Sequence, residues 1–146
     1  MSERKMRVLS IGAHPDDADT SAGGLLNKLY RKGWEIRMLS VTDGSAGTYK
    51  KELGGQELKL MRRAEAARSG GLLNCRYDVL DHPDGRLEVT LEIREELIRY
   101  IRRFKPDLII TNRLNDYHAD HRNTAQLVQD ASFLLTVPCI CADTPY

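Results

Sequence analysis

Apolar residues in this chain come in short dense runs, separated by stretches in which they recur every three or four positions. Met6, Val8, Leu9 and Ile11 predict a buried strand over 6–13. Ala22, Leu25, Leu26, Leu29 and Tyr30 then fall at helical spacing, predicting a helix over about 20–32, with Thr20 or Ser21 as its cap and Gly33 as its stop. Residues 34–42 read as a second strand that turns at Asp43-Gly44. The Gly-rich, polar stretch 44–55 reads as a mobile loop. Leu58, Met61 and Ala64 predict a helix from about 56 through at least Ser69, which Gly70-Gly71 weakens and which ends there or at Asn74. A third strand is expected over 76–80, followed by turn residues at 81–85. Leu91, Ile93, Leu97, Ile98 and Ile101 share one face of a helix over 90–104, which Lys105-Pro106 stops. A short buried strand over 107–111, a loop over 112–120 and a helix over about 121–133 complete the pattern. Strands alternating with helices of these lengths predict an α/β domain with a mainly parallel sheet.

The length, 146 residues, suits one domain spanning 1–146 with a real core. After the apolar run 133–137 and a Pro-containing tail the sequence stops. We therefore expect a domain truncated at its C-terminus, with one edge of the sheet and part of a site wall lying beyond it. Such an unfinished edge is one a second copy could cover, as in a homo-oligomer. Composition changes the picture little: the chain is 41% hydrophobic and 29% charged. Its 22 basic and 21 acidic residues leave a net charge of +1, which gives no electrostatic case for nucleic acid or an anionic membrane. Arg62-Arg63 and Arg102-Arg103 read mostly as solvated helix faces. No apolar run approaches the ~18 residues of a spanning helix, and the basic N-terminus precedes too short an apolar stretch for a signal peptide. Cys75, Cys139 and Cys141 are an odd count without framework spacing and read as buried structural thiols, consistent with a cytoplasmic protein.

Two clusters do change the picture. Ile11-Gly-Ala-His-Pro-Asp-Asp-Ala-Asp19 puts a His and three carboxylates directly after the first strand. Asp116-Tyr-His-Ala-Asp-His121 follows the strand at 107–111. Buried ionisable groups are costly unless paired or bound to a metal, and ligands of open parallel sheets bind beyond the carboxyl ends of the strands. If these two strands are neighbours, the clusters share one edge. Pro15 stiffens the turn so that His14 and Asp17 can face one centre. Two imidazoles and a carboxylate suit a catalytic zinc with an open fourth position, which lowers the pKa of water towards about 7. A carboxylate beside the ligand Asp can act as general base, and a non-ligand His can polarise a carbonyl and protonate a departing amine. An Asp neighbouring that His would favour its charged form and fix its orientation.

The stretch Ala13–Asp19 with Gly23-Gly24 resembles the opening motif of the LmbE-like (PIG-L-type) zinc N-deacetylases, and His118-Ala-Asp-His121 matches their later His-x-Asp-His motif. Arg62-x-x-Glu65 and Lys105-Pro-Asp-Leu-Ile-Ile-Thr111 extend the resemblance over essentially the whole chain. It implies a Rossmann-like three-layer fold and zinc-dependent removal of acetyl groups from N-acetylglucosamine-type sugars. By position it makes His14, Asp17 and His121 the zinc ligands and Asp16 the general base. His118 would stabilise the oxyanion and protonate the amine, with Asp120 as its partner, while Arg62 and Asp84 would contact the sugar. The family usually carries Glu one or two places after the Asp pair. Ala18 and Asp19 stand there here, and Asp19 is expected to orient a ligand or the loop. Two other readings of the same clusters are a two-metal phosphoesterase and a sugar-binding domain without turnover.

Overall fold

The computed structural model describes residues 4–146; the first three residues, which open the stretch weighed as a signal peptide, lie outside the described residues. Four strands, β1 (Arg7–Gly12), β2 (Glu35–Thr42), β3 (Arg76–His82) and β4 (Leu108–Thr111), form one sheet in the order β3-β2-β1-β4. Every pairing is parallel, with Ile11 opposite both Leu39 and Thr111. Helices α1 (Asp17–Arg31), α2 (Gln56–Gly71), α3 (Leu91–Phe104) and α4 (Ala119–Leu134) connect and flank the strands.

Side chains alternate across a strand, and β1 divides accordingly. Val8 joins Ala22 and Leu26 of α1 and Ala66 of α2 on one face. Leu9 and Ile11 join Leu97 and Ile101 of α3 and Leu127 of α4 on the other. The result is the three-layer α/β architecture expected. In this strand order the chain reverses direction across the sheet between β1 and β4, which opens a crevice above their carboxyl ends. None of the helices among the described residues is long and apolar enough to cross a membrane.

The helices run as expected except at the start of α1, where a side chain has other work. Helix α1 begins at Asp17, so Thr20 lies inside it, its hydroxyl donating back to the Asp16 carbonyl at 2.6 Å. Helix α2 runs through both glycines to Gly71. A Cβ on Gly70 would sit 2.7 Å from the Cys75 carbonyl oxygen, so the residue that lowers helix propensity is the one that lets α2 lie against the start of β3. Helix α3 is capped by Thr90, whose hydroxyl accepts from the Ile93 amide at 3.3 Å. The apolar run 133–137 begins within the last turn of α4 and continues into turns from Leu135.

Arg102 is the larger correction. It is not solvated but 3% exposed, and its guanidinium donates to the carbonyls of Leu134, Leu135, Val137, Ile140, Cys141 and Thr144. The tail is wound around one buried cation. Of the thiols, Cys141 is buried as expected, but Cys75 is only half-buried and Cys139 is exposed.

Candidate metal centre

Loops leaving the carboxyl ends of all four strands converge on a cleft of about 660 Å³, which His14, Asp16, Asp17, Arg62, His118 and His121 help to line. That volume suits a small-molecule site, for which about 300–1,000 Å³ is usual. The β1 loop is held from both sides. The Ala13 carbonyl accepts from Thr42 N, Thr42 Oγ1 and Ser40 Oγ of β2 at 2.8, 2.7 and 3.2 Å. The Ala13 amide donates to Asn112 Oδ1, just past β4, at 3.1 Å. Gly12 permits the turn, since a Cβ there would lie 2.4 Å from that of Asp17. Asp17 bends back to accept from the amides of Ala13 and His14, each at 2.9 Å. It is thereby a fixed group rather than a free helix-start carboxylate.

His14 Nδ1 lies 3.2 Å from His121 Nε2 and 3.4 Å from Asp17 Oδ2, and His121 Nε2 lies 3.3 Å from Asp17 Oδ2. These three atoms from the two sequence clusters form a nearly equilateral triangle. Its sides match the edge of a tetrahedron, about 3.3 Å for zinc–ligand bonds of about 2.0–2.1 Å. Two further groupings share His14: one with His118 and His121, one with Asp84 and Asp120, each with ligand atoms within 4.8 Å of one another.

The second nitrogen of His14 settles how the nearby carboxylates are used. Nε2 lies 3.2 Å from both Asp84 Oδ1 and Asp120 Oδ2. Asp120 was expected to pair with His118; its carboxylate instead accepts from the amides of Gly85 at 2.7 Å and Leu87 at 3.2 Å. The cause is the helix start. His118 is the N-cap of α4, its Nδ1 accepting from the Asp120 amide at 3.1 Å, which sends the Asp120 side chain inward to the loop after β3. An accepting Nδ1 leaves the His118 proton on Nε2, so the ring is a neutral hydrogen-bond donor. Asp84, expected to contact the sugar, lines the cleft but is largely buried, with Oδ2 accepting from the Ala46 amide at 3.0 Å. Asp19 points away from the cleft and accepts from Ser69 Oγ, tying α1 to α2 instead of orienting a ligand. Asp16 and Arg62 do face each other at the cleft mouth, with Arg62 Nη2 donating to Asp16 Oδ2 at 2.7 Å.

Two carboxylates without an expected role support the site. Asp116 Oδ1 lies 3.0 Å from His121 Nδ1. Asp43 Oδ1 accepts from the amides of Ser45 and Asp84, joining the loops after β2 and β3. Asp116 opens the second cluster and could have been flagged there; nothing in the Asp43-Gly44 turn distinguishes it from an ordinary turn residue.

Burial alone would lower the His14 pKa, but hydrogen bonds and charge from Asp17 and Asp84 outweigh it and push the group up to about 10. The same contacts with His14 hold Asp17 and Asp84 below the usual carboxylate range, against burial. A raised pKa means that the folded chain keeps a proton the unfolded chain releases. The contribution of His14 to stability is therefore complete below about pH 6.5 and lost as pH rises through about 10. For protein treated with a chelator, the urea midpoint is expected to fall steadily over that interval. A midpoint that is flat or rising there would contradict the assignment.

Comparison with known proteins bears on this geometry. The model of the PIG-L family, described as GlcNAc-PI de-N-acetylase, matches residues 9–132. A diacetylchitobiose deacetylase from Thermococcus kodakarensis is 36% identical over 132 residues, covering 87% of this chain and 49% of that protein. The chain thus spans about half the length of this curated relative. The solved structure of an N,N'-diacetylchitobiose deacetylase from Pyrococcus horikoshii superposes with a TM-score of 0.88 at 31% identity, covering 94% of this chain and 53% of that one. A 4-carboxy-2-hydroxymuconate hydratase from Pseudomonas putida shares the fold, with a TM-score of 0.85 at 23% identity over 92% of this chain and 59% of that one. The fold alone therefore does not assign the reaction.

Proposed function

Since the chain belongs to the PIG-L family, we propose that it hydrolyses the N-acetyl group of an N-acetylglucosamine-type sugar, releasing acetate and a free amine, with one zinc held by His14, Asp17 and His121. The observation that carries this reading is the triangle of donor atoms, 3.2–3.4 Å on a side, beside Asp16, a carboxylate outside the triangle that Arg62 holds at the mouth of an open cleft. The Thermococcus kodakarensis relative and the Pyrococcus horikoshii structure, at 36% and 31% identity, are both named as deacetylases of diacetylchitobiose. A zinc held there supplies Lewis acidity, bringing the pKa of water towards about 7 and polarising an amide carbonyl.

The protein's own groups do the rest. Asp16 takes a proton from the attacking water and passes it to the departing nitrogen, so a single carboxylate serves first as base and then as acid. His118, carrying its proton on Nε2, donates a hydrogen bond to the carbonyl oxygen as negative charge builds there. The proton count closes without His118 giving up its own proton. Arg62 holds Asp16 across the cleft mouth and lines the cleft, where it can meet a sugar hydroxyl. Asp84 and Asp120 act from behind His14, keeping its Nε2 protonated and its Nδ1 free.

The decisive experiment pairs elemental metal analysis with acetate release from N-acetylglucosamine and N,N'-diacetylchitobiose. One zinc per chain and measurable acetate are expected; two ions per chain would favour a phosphoesterase instead. His121→Ala is expected to lose the zinc, with an affinity drop beyond the roughly 10–100-fold that follows loss of an outer hydrogen bond. Tight stoichiometric zinc in that variant would overturn the ligand set.

A further inference from the structure

We propose that Asp116 is a positioning residue that sets the tautomer and tilt of His121, and that the same carboxylate oxygen keys His118 to that ligand. The inference rests on the reading of His121 as a metal ligand. His121 has one nitrogen on each side of a boundary. Nε2 faces His14 Nδ1 and Asp17 Oδ2 at 3.2 and 3.3 Å, whereas Nδ1 faces Asp116 Oδ1 at 3.0 Å. An ionised carboxylate can only accept. A proton on Nδ1 satisfies that contact and, in the singly protonated ring, leaves the Nε2 lone pair pointing into the triangle. Asp17 Oδ2, 3.3 Å from Nε2, would draw the proton to that nitrogen, so Asp116 is the contact that favours the tautomer with Nε2 free.

The carboxylate is itself well held. Its side chain is 8% exposed, so little water competes for its oxygens. Oδ1 also accepts from the His118 amide at 3.1 Å, forming a tight turn across Asp116–His118. Arg122, one residue beyond His121, donates to the carbonyls of Asp116 and Tyr117 at 2.7 and 3.1 Å. A single oxygen thus joins the ring of a proposed ligand to the backbone of the proposed oxyanion donor. Their relative placement depends on it.

A purely structural turn residue would stabilise the loop without affecting the metal. The two roles separate in a chelator competition for zinc, run with wild type, Asp116→Asn, Asp116→Ala and His121→Ala. Asp116→Ala is expected to bind zinc 10–100-fold more weakly. Asp116→Asn keeps a side-chain oxygen for the turn but loses the charge, and should fall between Asp116→Ala and wild type with a chelator-treated melting temperature close to wild type. Nitrogen-15 spectra of the zinc-loaded proteins supply the readout that a turn role would not move. His121 should show a protonated Nδ1 slow to exchange in wild type, and lose that protection in Asp116→Ala. If wild type takes up no zinc, or His121→Ala keeps it, the ligand reading falls and this inference with it. If those two behave as expected while Asp116→Ala binds zinc as tightly as wild type with Nδ1 still protected, the inference alone is overturned.

Discussion

Asp16→Asn is expected to retain one zinc per chain and to lose deacetylation by about 10²–10⁴-fold in kcat, the usual worth of a positioned general base. Asp16 stands outside the triangle of donor atoms formed by His14, Asp17 and His121, and its side chain is 51% exposed at the cleft mouth. Asn has nearly the same shape and can still accept from Arg62, so neither the ligand set nor the loop should move. What it cannot do is take up a proton from water and return it to nitrogen. The effect should therefore fall on kcat with KM little changed, the pattern of an interaction made only in the transition state. Metal content and single-substrate kinetics on the same preparation check both halves. Full turnover with zinc present would remove Asp16 from the mechanism. Asp17→Asn provides the contrast, since it should lower zinc affinity first and activity as a consequence.

The largest expected loss of stability lies far from the cleft. Arg102→Met is expected to cost about 3–5 kcal/mol, because carbonyls left without a buried donor keep most of their desolvation penalty. In a domain of this size that corresponds to a fall in melting temperature on the order of 10 °C. Met fills similar volume, which isolates the loss of the guanidinium from the loss of packing. The donors of Arg102 reach six carbonyls, in the last turn of α4 and the tail that follows. Arg102→Lys should recover little of the loss, since an ammonium offers three donors from one point where the planar fork offers five in fixed directions. Urea denaturation of the three proteins tests this, and a Met variant within 1 kcal/mol of wild type, taken as about one ordinary hydrogen bond, would show that the tail is held by packing alone. Zinc uptake is expected to survive in both variants, because no residue of this cage touches the cleft.

The helical face of 91–104 and the dense run in β1 were legible because burial alone decides them. So was the meeting of the two clusters, which required only that β1 and β4 be neighbours, as they are. The start of α1 was not. Thr20 and Ser21 look like caps, but the chain enters the helix early, with the Asp17 side chain turned back on Ala13 and His14. A carboxylate used by a site does not advertise itself as a helix start. Which imidazole each carboxylate serves was hidden for a different reason. The partner of Asp120 depends on how the loop after β3 lies against the first turn of α4, a register that no periodicity encodes. Arg102 was misread because one buried cation satisfied by carbonyls leaves no opposite charge nearby in sequence to betray it.

The carboxylates gathered around the cleft also bear on which molecules can enter it. Asp16, Asp17, Asp84, Asp116 and Asp120 stand around the three histidines, with Arg62 facing Asp16 and Arg113 facing Asp116. Even with a divalent ion in place, negative groups outnumber positive charge there, although the chain as a whole is nearly neutral. A field of that sign gathers cations and turns anions away. A phosphorylated ligand would approach against it, while an uncharged acetamido sugar pays no electrostatic penalty on entry, and the protonated amine left after hydrolysis would be drawn to the same walls. On the proposed function, walls suited to holding a metal would thus also favour neutral substrates and would make the departure of a cationic product the step most exposed to electrostatic drag.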